Sequence, residues 1–121
     1  MINLIKIILT VWSLIFLVGF TSAYLASASE PLSGKDIFYT VKGPNGSCST
    51  CHPGGGTAGR WDNEAKEISD DGDKVIPSLK GIGKKKTPEQ IEKAIKLVST
   101  KYKVPVTDAQ IKALVDYVSG L

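Results

Sequence analysis

Two stretches near the C-terminus carry the clearest hydrophobic periodicity in the chain. Ile91, Ala94, Ile95 and Val98 recur at i, i+3, i+4 and i+7, and Ile111, Leu114, Val115 and Val118 repeat that spacing, which puts each set on one helical face. Both follow start signals, Thr87-Pro88-Glu89-Gln90 and Thr107-Asp108-Ala109-Gln110. In each, a Thr hydroxyl and a Gln side chain three residues later can satisfy one another's free backbone N–H groups, and Pro88 sits where a helix tolerates proline. A shorter helix is predicted from Ser33 as N-cap to Val41, with Ile37, Phe38 and Val41 at helical spacing. Between these elements the chain is broken or polar. Gly43-Pro44-Asn45-Gly46 is a breaker, Pro53 to Gly59 is glycine-rich, and Ser99 to Val106 reads as a loop. Asp62 to Lys74 reads as a solvated acidic loop; Asp70-Asp71-Gly72-Asp73 lacks the terminal Glu of a calcium loop. No stretch alternates with period two. The pattern predicts an all-α domain of three main helices joined by long loops.

The N-terminus has a different character. Lys6 precedes an apolar run from Ile7 to Phe20, and small residues then lead to Ala26-Ser27-Ala28. That order of charge, apolar core and A-x-A site predicts an export signal over residues 1–28, with the domain at residues 29–121. The uncharged stretch from Ile7 to Ser29 is also long enough for an uncleaved membrane anchor. Either reading places the rest of the chain outside the cytoplasm, periplasmic or otherwise exported, free or tethered.

Composition narrows the picture only slightly. The formal charge is +3, with 15 basic and 12 acidic residues interspersed, so nothing points to nucleic acid. A domain this small has a modest core, and long loops in it call for something to pack on.

Cys48-Ser49-Thr50-Cys51-His52 answers that need. Two cysteines separated by two residues and followed by histidine form the attachment pattern for haem c. Two intervening residues let a short turn span the two vinyl groups that the thiols attack, and the adjoining His52 becomes the proximal iron ligand. A zinc site would need further Cys or His, and the 121 residues hold only these two cysteines and one histidine. Arg60 and Trp61 carry N–H donors suited to haem propionates.

In this order the parts resemble a class I c-type cytochrome domain from Gly34 to Tyr117. Gly34-Lys35-Asp36-Ile37-Phe38 resembles the family's N-terminal helix, and Ala113-Leu114-Val115-Asp116-Tyr117 its C-terminal one. The resemblance implies that these two helices cross at the small residue and the aromatics. It also implies that Pro77, in Ile76-Pro77-Ser78-Leu79-Lys80-Gly81, offers its carbonyl to the His52 imidazole, fixing its tautomer.

The departure is on the other side of the iron. Where the family carries a methionine, often before proline, the chain reads Lys101-Tyr102-Lys103-Val104-Pro105, and its one methionine is Met1. Three arrangements follow from that inventory: Lys101, Tyr102 or Lys103 binds the iron, the iron is five-coordinate in a pocket bounded by Val98 and Val104, or a partner subunit supplies the ligand. The expected activity is one-electron transfer between redox partner proteins, soluble or membrane-bound, by a carrier that is not itself an enzyme. The other function class is a haem protein with an open site, either a small-ligand (gas) binder or the haem subunit of an oxidoreductase complex.

Overall fold

The computed structural model describes residues 30–121; the predicted export or anchor segment, residues 1–28, lies outside the described residues. Leu32–Leu121 form one compact unit. Its helices are α1 (Gly34–Thr40), α2 (Cys48–Cys51), α3 (Pro88–Lys101) and α4 (Asp108–Ser119), with single 3-10 turns at Pro53–Gly55 and Ile82–Lys84.

The predicted caps form. Ser33 Oγ accepts the Asp36 N–H at 3.1 Å. Thr87 and Gln90 exchange bonds of 3.3 and 2.9 Å, and Thr107 and Gln110 bonds of 3.2 and 2.9 Å. Each such cap contributes about 1 kcal/mol by satisfying donors that the helix cannot. The core is built on α4, which packs against both α1 and α3: Ile37, Phe38, Ile91, Ile111, Leu114, Val115 and Val118, with Cys48, Leu79 and Ile82 against it. Phe38 meets Tyr117 edge to face, centroids 5.4 Å apart. Gly34 permits the crossing, because a Cβ there would stand 2.0 Å from the Ala113 carbonyl oxygen.

The fold is not all-α. Residues 60–75 form a three-stranded antiparallel sheet, β1 (Arg60–Asp62), β2 (Glu67–Ser69) and β3 (Lys74–Val75), in the order β2-β1-β3. Trp61 pairs with Ile68 on one side and Lys74 on the other. Two features close these strands. The Asp62 carboxylate accepts the N–H groups of Glu64 and Ala65 at 2.8 and 2.9 Å, shaping the β1–β2 turn. Gly72 lies so close to the Trp61 backbone that a Cβ would come within 2.6 Å of it. The period-two signal failed because strands of two or three residues hold at most one alternation, and their single anchor is Trp61, only 3 % exposed. The acidic stretch expected to be a solvated loop therefore carries β2 and leads into β3.

Helix α3 also departs from its predicted burial. Ile91 is buried, but Ala94 is exposed, and Leu97 and Val98 remain 70 % and 48 % accessible. Ala94, Leu97, Val98 and Lys101 fall on one side of the helix, and Ala94, Leu97 and Val98 on that side are exposed. The helix also runs on to Lys101, into the expected loop. Among the described residues no helix is long and apolar enough to cross a membrane.

Candidate functional site

Cys48 and Cys51 begin and end the single turn of α2. The Thr50 hydroxyl accepts the Ser47 N–H at 3.0 Å, and the His52 N–H closes onto the Cys48 carbonyl at 3.0 Å. Both thiols are free and half-buried, and desolvation raises the pKa of each, so they remain protonated at neutral pH. Cys48 packs against the core. At Cys51 the Lys74 ammonium opposes the effect of burial.

His52 is held from the glycine-rich segment behind it. The Ile76 N–H reaches the Gly59 carbonyl at 2.8 Å and the Leu79 N–H reaches the Gly55 carbonyl at 3.0 Å. These bonds lay the Pro77 segment along the loop that leaves His52. Burial lowers the imidazole pKa, and the Pro77 carbonyl acts against that as a hydrogen-bond acceptor. Nδ1 is nonetheless buried without a partner at full hydrogen-bond geometry. His52 and Pro77, 25 positions apart in sequence, are near enough for the Pro77 carbonyl to act on the imidazole, without the hydrogen bond that the resemblance implied.

Arg60 and Trp61 do not act as a pair. Neighbours on a strand point to opposite faces, so Trp61 is buried while Arg60 is exposed, its Nε donating to the Gly72 carbonyl. Trp61 Nε1 is buried and unpartnered, an N–H still lacking its acceptor.

The four residues predicted around the missing methionine separate into two places. Tyr102 caps the end of α3, and its hydroxyl accepts a 2.8 Å hydrogen bond from Lys74 Nζ. Lys101 Nζ stands over the same phenol ring, 5.5 Å from its centroid. Lys103, with a left-handed φ of 53°, joins Val104, Ser99 and Ile111 in a cleft that includes none of the three motif residues. Lys74 was missed in the sequence because it lay in an apparently solvated loop; only its pairing with Trp61 on β1 fixes it beside Cys51.

The residues fit a covalently held haem. Two free thiols flank a turn, an adjoining imidazole has an unmatched Nδ1 near a carbonyl, and a buried indole N–H lacks an acceptor. Val75, Leu97 and Val98 expose 56 %, 70 % and 48 % of their surface, apolar area that a porphyrin would cover. Among the described residues no three Cys, His, Asp or Glu side chains cluster as a metal site; the motif's own donors are two thiols and one imidazole. No protein-family model, curated protein or solved structure matches the chain.

Proposed function

We propose that the protein is an exported monohaem c-type cytochrome that passes single electrons between redox proteins. The observation that carries this reading is the arrangement around α2, where two free thiols lie one turn apart and the adjoining His52 imidazole has a buried, unpartnered Nδ1 under the influence of the Pro77 carbonyl. Cys48 and Cys51 hold the cofactor by thioether bonds, which prevents its loss outside the cytoplasm. His52 binds the iron and keeps its Nδ1 proton turned toward the Pro77 carbonyl, which strengthens the imidazole as a donor. Trp61 offers its indole N–H to a propionate. The bound haem supplies a one-electron ferric/ferrous couple. The chain keeps that couple in apolar surroundings through Val75 and Val98, and Lys101 gives the neighbouring surface a positive charge that favours an acidic partner.

The test is expression in a host that attaches haem c, followed by a pyridine haemochrome spectrum of the denatured protein. Haem that stays with the chain, and is lost from a Cys48→Ala, Cys51→Ala double variant, is the expected result. A wild-type chain that leaves the same host without covalent haem refutes the proposal. A potentiometric titration should then give a potential below that of methionine-ligated c-type cytochromes, because the soft thioether that raises potential is missing.

A further inference from the structure

Lys74 occupies a position that the fold has specified closely. It lies on β3, paired with Trp61 on the central strand and three residues before Pro77. Its backbone is therefore tied both to the buried indole and to the segment beside His52. Its Nζ donates to Tyr102 Oη at 2.8 Å across 28 positions of sequence and stands 5.4 Å from the centroid of the Tyr102 ring. Its charge is felt at Cys51. One side chain thus spans from the strand beside the haem-attachment turn to the end of α3, where the chain lacks the expected methionine.

Resting on the haem reading above, we infer that Lys74 is the residue that would supply the iron's sixth ligand, with the Tyr102 hydroxyl as its positioning acceptor. The competing side chains are placed less well. Lys101 Nζ lies 5.5 Å from the Tyr102 ring centroid, and the hydrogen bond to the phenol oxygen comes from Lys74. Lys103 belongs to the separate cleft. A ligand is held best from a rigid element, and the central pairing of β1 with β3 supplies one. Binding through the Lys74 nitrogen would release its one extra proton to solvent, with no change in oxidation state. Two N–H bonds then remain on the nitrogen, and the Tyr102 oxygen accepts one of them.

The test uses the haem-loaded protein and reads spectra, with haem content from the pyridine haemochrome and fold from far-ultraviolet circular dichroism. The wild type should be low-spin in both oxidation states and unaltered by carbon monoxide over minutes. Lys74→Ala should turn the ferrous form high-spin and reactive with carbon monoxide, while Lys74→Met should restore a low-spin form with a thioether-to-iron charge-transfer band. Lys101→Ala should leave the wild-type spectrum in place. Tyr102→Phe should stay low-spin but yield its ligand to added imidazole at about tenfold lower concentration, the effect of one lost hydrogen bond. A Lys74→Ala protein with full haem and the wild-type spectrum overturns the inference, as does a wild type that binds carbon monoxide at once. Loss of the low-spin form in Lys101→Ala alone also overturns it. Absence of covalent haem from the wild type instead refutes the proposed function, and the haemochrome separates that failure from the others.

Discussion

Replacing Gly34 with alanine should cost far more than one methyl group suggests. The added Cβ would lie 2.0 Å from the Ala113 carbonyl oxygen, 2.7 Å from its carbon and 2.8 Å from Tyr117 Cβ. Two of those atoms are backbone, so no side-chain rotation relieves the clash, and α1 must move away from α4. Ordinary contact begins near 3.4 Å, so the helices must part by more than an ångström at the point where Ile37, Phe38 and Leu114, each no more than 1 % exposed, are packed. Overpacking of this kind costs about 1–3 kcal/mol, and a shift of backbone belongs at the upper end. Better helix propensity returns at most about 1 kcal/mol, so the net loss should be about 2 kcal/mol, or roughly 10 °C in Tm for a domain of this size. Gly54→Ala is the control: φ is +60° there but nothing lies within 4 Å, so only backbone strain of about 1 kcal/mol applies. Both variants would be melted by circular dichroism at 222 nm in the same haem-loading state. If Gly34→Ala is no more damaging than Gly54→Ala, the close crossing of α1 and α4 is wrong.

Phe38→Ala should lose about 3–5 kcal/mol in guanidinium unfolding, since the ring is 1 % exposed and packs edge to face on Tyr39 and Tyr117. In the haem-free chain burial lowers the His52 pKa below the usual 6.5. The unfolded chain therefore binds the proton more readily, and the stability this gives is present above pH 6.5 and lost as pH falls through the folded value. His52→Gln should flatten that part of the stability–pH curve; an unchanged curve would show that another group is responsible. Alkylation of the haem-free chain at pH 7.5 should be slow at both thiols, because burial raises both pKa values. Cys48, packed on the core, should react more slowly than Cys51, and mass spectrometry of partly labelled protein would reveal the reverse order.

The local instructions for this fold were legible in the residues themselves. Capping pairs such as Thr87 with Gln90 and Thr107 with Gln110 involve contacts within one turn, and the α4 stripe of Ile111, Leu114, Val115 and Val118 needs only helical periodicity. The Cys-x-x-Cys-His pattern is equally local, since Cys48, Cys51 and His52 lie within five consecutive residues. The sheet was not legible, because its strands are too short to alternate and close only through Trp61, the approach of Gly72 and the Asp62 turn. Nor was the uncovered side of α3, since periodicity tells which residues share a face but not whether protein covers it. That distinction falls on Ala94, Leu97 and Val98, which share a face with each other and stay exposed. Placement of the polar groups around the site was likewise a tertiary matter. Arg60 and Trp61 are adjacent in sequence yet turn opposite ways on β1, and Lys101 and Lys103 part at the end of a helix that runs past its expected stop. Lys74 reaches Tyr102, 28 positions later, only because the tertiary fold returns the end of α3 to the side of β3. Short-range chemistry determined the helices and the attachment turn, whereas long-range pairing decided which side chains stand around them.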